Sequence, residues 1–185
     1  MKKVLIVSDT HMDNDTFSSI TSFHKDCDYF IHCGDSSLNF DDPLLNGYIT
    51  VMGNHDDDPH FDEFRFLKIE DVRILITHGH HYNVYVSYNK LYHKAKQMHC
   101  SLVLHGHTHI PHVQTFDGIT FVNPGSVLFN RSQYGYGTYV IMTIDHSNIC
   151  IHFYHHQTHE MVDDIVLNDG NKMLKEFGFD PKITK

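Results

Sequence analysis

A chain of 185 residues, 41% hydrophobic and 20% charged, is long enough for one domain with a sizeable core and too short for two comfortable ones. Its formal charge of −9 sets 14 lysines and arginines against 23 aspartates and glutamates, which argues against a protein that grips nucleic acid by covering phosphate with cations. No apolar run approaches the roughly 20 residues that span a bilayer, and the opening run breaks at Ser8–Asp9 instead of forming an export signal, so a cytoplasmic protein without a membrane partner is expected.

In chain order, "KKVLIVSD" reads as a buried strand feeding a loop. "DTFSSITSFHKD" carries Phe17, Ile20 and Phe23 at helical spacing behind an Asp15 or Thr16 cap. "DYFIHCGD" and "NGYITVMGNHD" are two further strands with polar ends, and this rhythm predicts parallel pairing in an α/β layer. "FRFLKI" and "VRILITHGH" flank Glu70–Asp71 as a hairpin, and "VSYNKLYHKAKQMH" shows a helical stripe of Val86, Leu91, Ala95 and Met98. "SLVLHGHTH" is another apolar run with a histidine-rich end, and Asp117–Gly118 between alternating segments signals a second hairpin. "GTYVIMTID" and "NICIHFYHH" alternate and should pair, and a closing helix is expected over Asn168 to Phe177. The expectation is a single domain over residues 1–185, of the α/β class, with two β layers in a sandwich flanked by helices.

Five of these strands end in polar clusters: Ser8–His11, Cys33–Ser36, Gly53–Asp56, Thr77–His80 and His105–His109. In open α/β sheets the carboxyl ends of strands converge on one crevice, where ligands bind. The convergent set includes Asp9, His11, Asp35, Asn54, His55, His78, His80, His107 and His109, which are metal-ligand types. Seven good ligands exceed the three or four that one tetrahedral ion needs, so two ions are expected. Asp35, central in chain order, is the natural bridge, since a carboxylate has two oxygens to share. The oxygen and nitrogen mixture suits manganese, iron, zinc or nickel better than calcium or copper(I). Cys27, Cys33, Cys100 and Cys150 form no C-x-x-C pair and read as free thiols.

The ordered set "D-x-H", "GD", "GNHD", "HGH" and "GHTH" resembles the calcineurin-like metallophosphoesterases, and above all their compact YfcE-like phosphodiesterase group. "NPGS" at Asn123–Ser126 strengthens the match, which runs from residue 3 to about 145. The compact group often lacks the histidine of the third motif; here the motif is complete, as in the wider superfamily. The resemblance implies the α/β/β/α metallophosphoesterase fold. It assigns Asp9, His11 and His109 to a first ion and Asn54, His78 and His107 to a second, with Asp35 between them. His55 then stands near the substrate as a catalytic residue, with Asp56 orienting its ring. The implied reaction is hydrolysis of a small phosphodiester by in-line attack of hydroxide shared by two divalent metal ions, manganese first among the candidates.

Several residues carry a plainer reading. His105 and His32 are expected in the core, His152, His155, His156 and His159 on strands and turns, and Asp57 and Asp58 in a solvated loop. His80 and His81 either line the pocket or remain loop histidines, and Arg131 either reaches substrate phosphate or stays on the surface. "NPGS" is expected to buttress the histidine loops. Rival functions are a phosphomonoesterase or a nuclease on the same site, and a non-catalytic interaction module of this fold, as in a retromer subunit. The expected partner is a small phosphate ester, with no stable nucleic-acid binding and self-association left open.

Overall fold

The computed structural model describes residues 1–184, and its strands form two five-stranded sheets. The first sheet takes the order β10-β9-β1-β2-β3 and the second β4-β5-β6-β8-β7. In chain order the elements are β1 (Lys2–Val7), α1 (Asn14–Phe23), β2 (Tyr29–His32), β3 (Tyr48–Thr50), β4 (Phe64–Ile69), β5 (Val72–Thr77) and α2 (Asn89–Gln97). They continue with β6 (Leu102–Leu104), β7 (His112–Phe116), β8 (Ile119–Asn123), β9 (Thr138–Asp145), β10 (Asn148–His155) and α3 (Asp163–Glu176).

The period of two in a strand explains the layering. Along β1, Val4 and Ile6 face the other sheet and join Ile31, Ile74, Ile76, Leu102, Leu104 and Met142 in the central core. Their neighbours Leu5 and Val7 face outward and pack under Phe17 and Ile20 of α1. On the second sheet, Leu75, Val103 and Phe121 face outward against Leu91 and Ala95 of α2 and Leu174 of α3. Strands covered on both faces must be apolar throughout, which is why these runs do not alternate. The layers are therefore helix, sheet, sheet, helix, as expected. No helix among the described residues is long and apolar enough to cross a membrane.

The parallel runs β1-β2-β3 and β5-β6-β8 point their carboxyl ends the same way within each sheet. Single main-chain bonds extend the ladders past the strand ends. Asp9 N–H donates to Gly34 O (3.0 Å), His11 N–H to Asp35 O (3.1 Å) and Gly106 N–H to His78 O (3.0 Å). These bonds carry the sheet geometry into the loops where the polar clusters lie.

Three expectations shift. The cap of α1 is Asp13, whose carboxylate accepts from Thr16 N–H, so Asp15 and Thr16 already lie inside the helix. α2 begins at Asn89, and Val86, placed in its stripe by spacing, is exposed. The C-terminal tail causes this: Asp180 N–H donates to Val86 O at 2.7 Å and holds residues 86–87 out of the helix. α3 starts five residues earlier than Asn168 and runs straight through Gly170. That glycine marks a close approach, since a Cβ there would collide with the carbonyl oxygen of Pro111.

Several histidines are structural. His32 receives Gly34 N–H on Nδ1 and meets Thr10 Oγ1 with Nε2 at 3.1 Å. His112 Nδ1 meets Tyr88 Oη at 2.8 Å, and His105 is fully buried, as expected of a core residue. Burial pushes His32 and His112 down to about 4 and His105 to about 3, so all three are neutral near pH 7. The unfolded chain takes up protons below about pH 6.5 that the fold refuses until pH 4 or lower. Thermal unfolding in the presence of a chelator should therefore show a melting temperature that falls as pH drops from 6.5 towards 4. A flat profile across that window would show that these rings are not held neutral.

Candidate metal centre

The five polar strand ends meet at one end of the sandwich. Asp9, His11 and His109 bring ligand atoms within 4.8 Å of one another, and so do Asp9, Asp35 and His78. Asp9 belongs to both sets. Its Oδ1 lies 3.0 Å from His109 Nε2 and 3.9 Å from the Nε2 atoms of both His11 and His78. Asn54 Oδ1 joins at 3.2 Å from His78 Nε2. The His107 ring stands beside that of His78, with centroids 5.1 Å apart, just outside both sets. The structure thus gathers all seven candidate ligands at the seam between the sheets.

The backbone makes this convergence possible. Asp9, His11, Asp35, His107 and His109 all adopt positive φ, between 44° and 70°. Non-glycine residues rarely take this conformation, and clusters of it mark functional sites. Here it turns each side chain off its strand axis and back towards the seam. A Cβ at Gly106 would collide with Ser8 Oγ and Asp9 Oδ2, so the His107 loop can approach β1 only with glycine there.

Each carboxylate is half committed and half open. Asp9 Oδ2 accepts from Ser8 Oγ (2.5 Å) and His107 N–H (3.2 Å). Asp9 Oδ1 is buried and makes no hydrogen bond by geometry, although His109 Nε2 stands 3.0 Å away. Asp35 Oδ1 accepts from His55 N–H at 2.8 Å, while Oδ2 lies 3.2 Å from His78 Nε2 and 3.8 Å from His11 Nε2. The oxygen of Asp35 that faces both sets is therefore Oδ2 alone.

The electrostatics point the same way. Burial by itself would raise the Asp9 carboxyl, but His78 and then His109 outweigh it and hold the group well below the carboxylate range. Burial would likewise lower His78, yet Asp9 and Asp35 override it and raise that imidazole to about 9. His78 Nδ1 is paired with Cys33 O at 2.8 Å, so Nε2 is the atom presented to the site. Burial, followed by the charge of His78, pushes His107 down to about 4 and leaves a neutral ring. Two buried carboxylates, an orphaned oxygen and imidazole nitrogens turned inward form a donor set that fits divalent transition ions.

The loops around this set are held by residues that the sequence reading placed elsewhere or passed over. Asp56, expected to orient His55, turns its carboxylate towards the main chain. Oδ2 accepts from Asp35 N–H (2.7 Å) and Gly53 N–H (2.8 Å), and Oδ1 from Ser37 N–H (2.7 Å) and Ser36 Oγ (3.1 Å). It thus pins the Asp35 and Asn54 loops together. His55 is exposed at the rim, its ring edge-on to His11 with centroids 5.2 Å apart. Asp58 is also an anchor and not a solvated loop acid: it accepts from Phe40 N–H and His60 N–H. Asn123 Nδ2 donates to Gly106 O and Thr108 Oγ1, and Ser126 Oγ donates to Asp9 O, so "NPGS" does buttress the ligand loops.

At the mouth, Tyr85 Oη donates to His107 O (3.2 Å), and Arg131 lies over the rings of Tyr85 and Phe177 at 5.8 and 6.0 Å. His80 borders the His78 and His107 rings and lies tilted against His81 with ring centroids 3.9 Å apart, and its Nδ1 is buried without a partner.

Fold and site together define a metal-dependent phosphoesterase. The family model for the calcineurin-like phosphoesterase superfamily domain matches residues 1–147, and the chain belongs to that superfamily. It is 31% identical over 161 residues to the "Probable metallophosphoesterase YsnB" of Bacillus subtilis, covering 86% of this chain and 95% of that one. It is 28% identical over 143 residues to "Phosphodiesterase MJ0936" of Methanocaldococcus jannaschii, covering 66% and 82%. A predicted phosphoesterase of Streptococcus pneumoniae shares the fold with a TM-score of 0.81 at 28% identity, covering 87% of this chain and 92% of that one.

The role of Asp56 has a direct test. Asp56→Ala leaves main-chain donors unpaired in the interior, each worth about 1–3 kcal/mol. The variant should lose at least about 2 kcal/mol in chemical denaturation and bind manganese more weakly by titration calorimetry. Asp56→Asn, which keeps acceptor oxygen on one side, should fall between it and the wild type. Unchanged stability in the alanine variant would remove Asp56 from the scaffold of the site.

Proposed function

We propose that this chain hydrolyses small phosphodiesters with two divalent transition-metal ions, manganese preferred. The observation that carries this reading is Asp9 Oδ1, a buried carboxylate oxygen without a hydrogen bond, common to two three-residue ligand sets. Asp9, His11 and His109 would hold one ion and Asn54, His78 and His107 the other, with Asp35 shared between them. When bound, the ions lower the pKa of water towards neutrality and offset charge on the phosphate oxygens.

The remaining work falls to protein groups. His55 stands at the exposed edge beside His11, where it can hand a proton to the leaving alkoxide. Its own N–H fixes Asp35, so the ring and the ligand loop share one residue. Arg131, held over Tyr85 and Phe177, brings a cation to the rim on the His107 side. That rim and a chain charge of −9 favour a small ester over a polynucleotide, whose binding needs a track of cations. The four free cysteines support a cytoplasmic setting.

The decisive experiment reconstitutes demetallated protein across a matrix of metals and phosphate esters. About two manganese ions per chain and faster turnover of an aryl phosphodiester than of the matching monoester are expected. Fewer than one ion per chain at saturation would end the two-ion reading. A fully loaded protein without turnover on any ester would favour an interaction module.

His55 separates chemistry from metal binding. His55→Ala should keep both ions and the melting temperature while slowing turnover roughly 10²–10⁴-fold, the usual worth of a positioned acid or base. The loss should shrink for esters whose leaving group is already a weak base. Rates equal to wild type on every ester would take His55 out of the mechanism.

A further inference from the structure

Away from the metal centre, one group of side chains is wired in series for nucleophilic chemistry. Cys150 and His152 lie two apart on β10, the edge strand of its sheet, so their side chains share a face. Cys150 Sγ is 3.2 Å from His152 Nε2, and His152 Nδ1 is 2.7 Å from Oδ2 of Asp163, the first residue of α3. The carboxylate is itself fixed, because its Oδ1 accepts the edge N–H of Phe153 at 2.5 Å. Thiol, imidazole and carboxylate thus stand in the order of nucleophile, base and orienter. Among the four cysteines Cys27, Cys33 and Cys100 are buried, and the wired one is exposed.

We propose that Cys150 is a site of thiol–disulfide exchange with low-molecular-weight disulfides, with His152 moving the proton under the orienting hold of Asp163. His152 Nε2 takes the proton from Sγ, and the thiolate attacks one sulfur of the incoming disulfide. The new S–S bond forms as the old one breaks, and the electron pair leaves on the second sulfur. That sulfur collects the proton from His152 and departs as a thiol. Cys150 ends oxidised in a mixed disulfide, and one half of the reagent ends reduced. The chemistry favours a disulfide over an acyl compound. Exchange passes its charge directly to a leaving sulfur that His152 can protonate, whereas acyl transfer also needs preorganised donors for an oxyanion.

The location makes the site separable from phosphoester hydrolysis. Cys150 pairs with Thr143 on β9, and Thr143 with Lys3 at the start of β1, whereas Asp9 lies beyond the other end of that strand. Exchange at Cys150 therefore modifies the pole of the sandwich opposite the metal centre.

The test uses the full-length, metal-loaded protein and glutathione disulfide at pH 7, followed by intact mass and peptide mapping. A single adduct on Cys150 is expected, with its second-order rate falling roughly tenfold in His152→Gln and less in Asp163→Asn, whose side-chain oxygen can still accept from Phe153 N–H. With an aromatic disulfide, whose leaving thiol needs no proton, the His152→Gln loss should be smaller. That contrast would not arise from a merely structural role. Melting temperature and turnover of the aryl phosphodiester should be unchanged in both variants. Equal exchange rates in wild type and His152→Gln, or an adduct mapped to another cysteine, would overturn the proposal.

Discussion

Two carboxylates buried at the ends of neighbouring parallel strands set the terms for the rest of the molecule. Asp9 and Asp35 are almost fully removed from solvent, and a charge in such a place must be answered by positive charge or by hydrogen bonds. The protein answers only in part. Ser8 Oγ and the N–H groups of His55 and His107 satisfy one oxygen of each, and the inward oxygens face imidazole nitrogens. The unmet half is what suits the pair to a metal ion. It also comes at a conformational cost, since each left-handed non-glycine residue is disfavoured by roughly 1–2 kcal/mol, and five ligands adopt that conformation.

Such a centre persists only if its surroundings leave it no relaxed alternative. Asp56 draws the Asp35 and Asn54 loops onto one carboxylate, and Asn123 with Ser126 ties the His107 loop and the Asp9 turn to the end of β8. Neither group of residues touches the inward-facing oxygens. Their contribution is to deny the loops any other shape, which is how strained sites are generally maintained.

Much of this was legible in the sequence because apolar runs ending in ligand-type residues carry two signals at once. The runs give strands, and their ends give the crevice, so the candidate ligands could be located together, while their division between two ions came only from the family resemblance. Other features depended on long-range contacts that no local pattern encodes. The start of α2 is set by Asp180, nearly a hundred positions away, and the Gly170 that looks like a helix breaker is explained only by Pro111. The direction of a side chain was equally hidden. "GNHD" places Asp56 beside His55 in sequence, but the backbone turns its carboxylate towards the N–H groups of Asp35 and Gly53. Cys150, His152 and Asp163 seemed unrelated because the pair on β10 meets its carboxylate only after the chain leaves the strand and begins α3.

The candidate ligands are drawn from both layers of the sandwich: Asp9, His11, Asp35 and Asn54 follow strands of the first sheet, and His78, His107 and His109 follow strands of the second. Between those layers the main adhesive is apolar contact, which resists separation strongly but sliding weakly. Coordination is directional, so ions seated at this seam would rivet the sheets in one register. Any ion that binds the folded chain alone also deepens its stability, by about 4 kcal/mol at a thousandfold excess over the dissociation constant. An ion bound at this seam would therefore link its own supply to the stability of the folded chain.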